Sequence, residues 1–524
     1  MKAHVALALA ALASVLLAEL VARRLRLPSA VILVVVGLAY GELPGPNLTL
    51  DPAVVLTLIL PPLLYSTALR ASLVDIRTNL RSVASLSIGL TLATTFAVAG
   101  LVSLVVPDLP FSLAVALGAA VAPPDPVASL AIGRRAGLPP HLTTLVEGEG
   151  LLNDATALTT YQVAVASAVG SGLSPFHAVG TFALEALGGL GIGLAIALVV
   201  RVVRRAIDDP LVGNGLSLGV PFATYIAAES IHASGVLAVV VAGLMLGHPT
   251  GGGASGSARL QTRSVWLLLD FLLEGFVFLL IGQQLPQILD GLDQYGAGRL
   301  AAASLLTVGG VLVVRPLWLL LARQLPRRLR GGRALTVREV AATSWAGTRG
   351  VITLAAVFAL PLTAHGAALP YRDLMLFCAY VVVLVTLVGQ GLTFGLLLAW
   401  LKLPVNSRGE RRTRLEARLA AAKVAAAQLD ELCVDDGVAS EVAARVRRAA
   451  QTQIDRAEHN LSVLAEIDDA QIDVVTGEAA RLRHFFIDAQ REELVRWRDA
   501  GRLSDRGLRD LEKELDVEES RLSV

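Results

Sequence analysis

Three acids and an amide crowd one short stretch, Glu147-Gly148-Glu149-Gly150-Leu151-Leu152-Asn153-Asp154. At 3.6 residues per turn, Glu147, Gly150 and Asp154 share one helix face, while Glu149 and Asn153 share a neighbouring one. The glycines remove side chains where another backbone can approach. A further acid, Asp125, stands among prolines in Ala122-Pro123-Pro124-Asp125-Pro126-Val127. Asp125 and Asp154, brought to one place, can hold a dehydrated cation or protons but resist holding both, which is the physics of exchange. One base lies in a comparable setting, Arg349 in Gly347-Thr348-Arg349-Gly350. Its expected role is structural: pairing with Glu149 so that neither charge is buried alone.

The elements that must position these residues are membrane helices. The chain has 524 residues, 54% of them hydrophobic and only 17% charged, with a mean hydropathy of +0.63, too apolar for an ordinary soluble protein. Residues 1–404 hold 25 Lys/Arg and 19 Asp/Glu, whereas the last 120 residues hold 20 and 25. A basic membrane part therefore precedes an acidic, soluble tail. The net charge of +1 gives no reason to expect nucleic acid as a partner. The two cysteines, Cys378 in an apolar run and Cys433 in the tail, offer no disulfide framework.

A hydrocarbon core of roughly 30 Å needs about 20 apolar residues per helix. Such runs lie near 3–22, 28–42, 51–69, 81–106, 110–133, 140–169, 176–201, 211–231, 234–248, 262–286, 299–322, 337–361 and 372–401, which predicts thirteen spans with the second and ninth short. Arg23, Arg24 and Arg26 flank the first run as a stop-transfer signal, so it reads as a span rather than a signal peptide. Alternate connections before the tail divide the basic residues nineteen to three, the minority being Lys2, Arg299 and Arg372. The positive-inside rule then puts the N-terminus outside and the tail in the cytoplasm of a cell, or inner, membrane.

Three prolines in four residues cannot continue a helix, so the fifth span breaks at Asp125. Freed backbone groups are tolerated in lipid only where protein or a water-filled cavity satisfies them, so the break marks a pathway. The twelfth span has its own interruption around Arg349. Spans seven apart run in opposite directions, the signature of an inverted repeat whose discontinuous helices cross near the midplane. Later spans add Glu229, Asp270, Glu274 and Arg315, and each charge at the bilayer centre costs about 2.5–3.5 kcal/mol on insertion scales unless partnered. Glu229 and His232 lie near the predicted outer boundary and read as solvated end positions.

Five stretches together resemble a known family. Leu60-Pro61-Pro62-Leu63-Leu64, Asp125-Pro126-Val127-Ala128, Glu149 through Ala155, Ala228-Glu229 to Ser234-Gly235, and Trp345 through Gly350 are similar, in order over residues 1–404, to bacterial Na+/H+ exchangers of the NhaP type, monovalent cation:proton antiporters related to the mammalian NHE exchangers. The resemblance implies that Asp154 alternately binds cation and proton and that Asp125 is a second Na+ ligand or organiser. It also implies that Asn153 holds the unwound segment and that Glu149 pairs with Arg349. Further implications are a homodimer working in pH and sodium homeostasis and, from Asn153, electroneutral one-for-one exchange. Three positions depart from the family pattern. Tyr65-Ser66 stands where an acid is common, Pro124 where Thr is common and Gly150 where Ser is common. Backbone carbonyls, water, Ser66 or Thr67 then have to supply the missing oxygens, and K+ or Li+ stays open beside Na+.

Residues 405–524 read as amphipathic helices near 411–432, 438–466, 475–500 and 504–523, a soluble helical cytoplasmic domain with no nucleotide loop or metal-spaced Cys/His set. The expected class is thus an all-α membrane protein of thirteen transmembrane helices, with inverted repeats, two crossing discontinuous helices and a helical tail. It is expected to be no enzyme and to need no cofactor. A cation channel is the alternative, set back by the missing carbonyl-filter motif. A membrane aspartyl hydrolase using Asp125 and Asp154 lacks its Gly-x-Gly-Asp element.

Overall fold

Helix forms in each of the apolar runs that the sequence marks, because in a chain this hydrophobic the helix satisfies every backbone group from within the segment. The structure, a computed structural model, describes residues 2–25, 28–42, 54–78, 80–125, 129–130, 133, 136–170, 175–207, 209–248, 256–324, 334–364, 367–403, 407–435, 440–466, 469–500 and 502–520. The chain divides into two compact units, Met1–Pro404 and Val405–Val524.

The first unit runs through α1 (Lys2–Leu25), α2 (Ser29–Gly41), α3 (Val55–Arg70), α4 (Leu80–Val105), α5 (Phe111–Val121), α6 (Pro140–Val169) and α7 (Pro175–Arg205). It continues through α8 (Pro210–Glu229), α9 (Gly235–Gly247), α10 (Gly256–Asp290), α11 (Ala297–Gln324), the pair α12 (Val337–Trp345) and α13 (Val351–Phe358), and α14 (Arg372–Leu401). Among the described residues, six helices are long and apolar enough to cross a membrane, and α2, α3, α5 and α9 are shorter apolar helices. A two-residue antiparallel ladder, β1 (Thr363–Ala364) with β2 (Ala367–Ala368), is a small departure from the all-helical expectation. It closes the connection between α13 and α14.

Both expected breaks are present. Helix α5 ends at Val121 and Ala122–Asp125 is not helical, as the missing N–H groups of Pro123 and Pro124 require. Helix α12 starts on a capping box, in which Thr336 and Glu339 satisfy each other's backbone N–H groups, and it stops at Trp345. Gly350 is extended, with φ −132°, and α13 resumes at Val351.

Close backbone approach fixes the wall that faces these breaks. Gly37-Leu38-Ala39-Tyr40-Gly41 of α2 lies against α10: a Cβ added at Gly37 would fall 2.1 Å from the Leu279 carbonyl oxygen, and one at Gly282 would fall 2.3 Å from that of Val34. Small residues four apart let two membrane helices touch in this way. A separate apolar cluster, including Leu130, Leu142, Val146, Ala342, Phe394 and Leu398, binds the start of α6 to α12 and the end of α14. Leu184, Leu187, Leu198 and Val202 of α7 stay exposed, a face that suits lipid.

The second unit comprises α15 (Ser407–Asp435), α16 (Ser440–Glu466), α17 (Asp469–Asp499) and α18 (Asp505–Ser520). Lys423 and Glu458 pair at 2.8 Å between α15 and α16. Arg491 joins α17 to α18, with Nη2 donating to Asp516 Oδ1 (2.6 Å) and Glu519 Oε2 (2.5 Å).

Candidate cation and proton site

The two breaks meet each other. The Asp125 backbone N–H donates to the Thr348 carbonyl (2.6 Å), and Thr348 Oγ1 donates to the Asp125 carbonyl (2.8 Å). Polar backbone freed in one broken helix is thereby satisfied by the other, which resolves the cost of breaking both in an apolar interior. Asp125 Oδ2 lies where a Cβ on Gly350 would be, 1.8 Å away, so only a glycine fits under that carboxylate.

Arg349 does not take the role expected of it. Its Nε donates to the Val121 carbonyl (3.1 Å), Nη2 donates to that of Ala122 (3.0 Å) and Nη1 to that of Gly347. The carbonyls at the C-terminal end of α5 have no partner within their own helix, and a cation there also complements the helix dipole. Glu149 is instead held in a two-pronged pair by Arg315: Nη2 to Oε2 at 2.8 Å, and Nη1 to Oε1. Arg315 Nε donates to the Thr343 carbonyl (3.1 Å). The expected Glu149–Arg349 pair is corrected to Glu149–Arg315, because the orphan carbonyls of the break consume the donors of Arg349. Glu149 and both arginines are 1–2% exposed.

Two π-helical turns reach the same place, consistent with the tendency of such turns to sit at functional positions. Ser87, in the turn Ser85–Leu90 of α4, donates to the Glu149 carbonyl (3.0 Å). Thr386, in the turn Val385–Gln390 of α14, accepts from the Arg349 backbone N–H (3.1 Å).

A small cavity opens beside the crossing. One wall is Pro123, Pro124, Asp125, Gly150, Asp154 and Gly350 to Thr353; the other is Leu63, Ser66, Thr67, Asp270 and Glu274. Asp154 is 6% exposed, and no hydrogen-bond donor among the described residues meets its carboxylate. The Asp125 carboxylate acts on it electrostatically. Asn153 is fully buried; its Nδ2 donates to the Pro124 carbonyl at the break (3.3 Å), while its Oδ1 has no hydrogen-bond partner among the described residues.

Ser66 and Thr67 line the cavity as the sequence suggested, but both are engaged. Ser66 Oγ sits 2.6 Å from Asp270 Oδ1, and Thr67 Oγ1 donates to the Leu63 carbonyl (3.0 Å). Asp270 also takes Arg70 Nη1 at 2.7 Å. Sequence reasoning left Asp270 and Glu274 unassigned. Their signal was a pair of acids four residues apart on one face of an apolar helix, with Arg70 at the end of another. Among the described residues, no three Asp, Glu, His or Cys side chains close into a metal cage. Glu229 and His232 lie at an exposed end, but Glu229 is not simply solvated as expected: its carboxylate accepts from the Gly235 backbone N–H and from Gln162 and Tyr225.

The description sodium/hydrogen exchanger, transmembrane, matches residues 9–400. Over 98% of the chain and 95% of the relative, the chain is 32% identical to an uncharacterized Na+/H+ exchanger of Mycobacterium tuberculosis. It is 31% identical to the Na+/H+ antiporter NhaP of Pseudomonas aeruginosa, over 65% of this chain and 80% of that one. A sodium, potassium, lithium and rubidium/H+ antiporter of Bacillus subtilis is 30% identical over 69% of this chain and 56% of its own length. The fold resembles that of the sodium proton antiporter MjNhaP1 from Methanocaldococcus jannaschii, with a TM-score of 0.58 and 20% identity, covering 76% of this chain and 99% of that one. A pair of crossing breaks that frames a buried acid with no donor among the described residues, together with a match over nearly all of the first unit, makes the chain a member of the sodium/hydrogen exchanger family.

Proposed function

We propose that the chain exchanges a monovalent cation, Na+ foremost, for H+ across the cell membrane by electroneutral alternating access. The observation that supports this most directly is Asp154: a buried carboxylate facing a cavity while the nearby bases, Arg315 and Arg349, are held elsewhere. A carboxylate without a fixed counter-ion is neutralised either by a proton or by a cation, and competition between the two couples their movements. Asp125 serves as second ligand and organiser of the break. Asn153 cannot ionise, so one cation leaves for each proton bound.

The thirteen-span arrangement, with the N-terminus outside and residues 405–524 as a cytoplasmic domain, draws its support from the arginine asymmetry. A homodimer is part of the same reading, supported by the exposed apolar face of α7 and by the family. Membership of an exchanger family sets conduction aside.

Proteoliposomes carrying a trapped pH dye test the reading. Adding Na+ should drive proton flux in wild type and none in Asp154→Asn, which should still purify as a folded protein, since loss of a buried charge need not destabilise. Cation-driven flux that persists in Asp154→Asn would overturn the mechanism. Exchange should also be insensitive to a valinomycin-clamped potential; a rate that follows voltage would show that more than one proton moves.

A further inference from the structure

The cavity holds an acid that exchange at Asp154 does not use. Glu274 lies one helical turn beyond Asp270 on α10, and both face the same space. Their circumstances differ. Asp270 is committed, with one oxygen at the Ser66 hydroxyl and the other at Arg70. Glu274 receives no hydrogen bond or ion pair among the described residues; the charges acting on it are Asp125 and Asp270 against Arg70. Across the cavity, Asp154 is more than nine-tenths buried and equally without a donor. Behind that wall the side-chain Oδ1 of Asn153, next in sequence to Asp154, is buried without a partner among the described residues as well. Unmet acceptors on both sides of one cavity call for cations from solution, since a buried acceptor left bare is costly.

We propose that Glu274 is a further carboxylate ligand of the transported cation, reaching it from the wall opposite Asp125 and Asp154, while the one exchanged proton stays with Asp154. The inference rests on the exchange reading above. Its oxygens supply what Ser66, turned to Asp270, does not. Asp125 and Asp154 belong to the wall of crossing breaks, and Glu274 belongs to the helix locked on α2. A cation seated between them joins the two walls, and its departure, when Asp154 takes the proton, releases them.

Glu274→Gln keeps the shape and removes the charge, and Glu274→Asp keeps the charge. In proteoliposomes, Glu274→Gln should raise the apparent KM for Na+ by about tenfold or more and shift the pH dependence of exchange, because protons then compete with a more weakly held cation, and Glu274→Asp should recover most of both. A Glu274→Gln protein with wild-type KM and pH profile would overturn the proposal, as would a fall in maximal rate alone. Na+-dependent thermal stabilisation in detergent gives a second readout that needs no transport. It should be present in wild type and lost in Glu274→Gln; equal stabilisation in both overturns the proposal. Wild-type vesicles without cation-driven flux would instead sink the exchange reading, and the detergent measurement would still decide whether Glu274 binds the cation.

Discussion

Glu149 shows how tightly single residues are specified here. Removing one member of a buried ion pair leaves a bare charge, at a cost of about 3–5 kcal/mol. Glu149→Gln and Arg315→Gln should each lower stability by that order, and the double variant should recover much of it. Thermal unfolding of the three variants in detergent, read as a double-mutant cycle, checks this; strictly additive losses would reject the pair. Arg349→Gln combined with Glu149→Gln should show no such recovery. Gly350→Ala tests the crossing itself. The backbone there is open to any residue, yet the methyl would overlap the Asp125 carboxylate. We expect overpacking of about 1–3 kcal/mol and loss of Na+-driven proton flux while the protein still inserts; wild-type flux would show that the Asp125 carboxylate does not need its place over Gly350. The acids were legible in the sequence because a charge in an apolar run announces its own cost. The partner of Glu149 was not, since that depends on which of two arginines on different helices has donors to spare, and the orphan carbonyls that occupy Arg349 exist only once α5 and α12 are brought together.

Helices were more legible than their contacts. Apolar length marked the runs in which helix forms, and the Pro123-Pro124-Asp125-Pro126 and Gly347-Thr348-Arg349-Gly350 elements marked the two interruptions. Hydropathy is blind to how deeply two helices sink into each other, so the lock between α2 and α10 did not show in it. Gly282→Ala should lower the melting temperature in detergent, by about 1–3 kcal/mol in stability, because its methyl meets the Val34 carbonyl. Gly309→Ala, with open space around the added atom, is the control and should leave the melting temperature nearly unmoved. Equal effects at the two glycines would mean that close approach does not set the position of α10. The π-helical turns also lay beyond the sequence: Ser87 and Thr386 sit in ordinary apolar stretches, and their hydroxyls matter only through what crosses them.

For the molecule as a whole, the nineteen-to-three division of basic residues carries a concrete expectation about sidedness. In a Cys433→Ser background, Glu492→Cys, whose native side chain is 75% exposed, should react with a membrane-impermeant maleimide in inside-out vesicles and not in intact cells. Labelling of intact cells would put the tail on the other side. Cys378 is buried and should remain silent in both. The two bonds between Asp125 and Thr348, with the Arg349 guanidinium laid across Val121 and Ala122, join pieces of chain more than two hundred residues apart. The amides of Asp125 and Arg349 lie outside regular helix, where backbone ordinarily trades its hydrogens with solvent quickly. Here both are bonded, the first to the Thr348 carbonyl of the other break and the second to the Thr386 hydroxyl of α14, which packs against it. In deuterated buffer they should exchange slowly and at a common rate, because either amide is uncovered only when the whole knot comes undone.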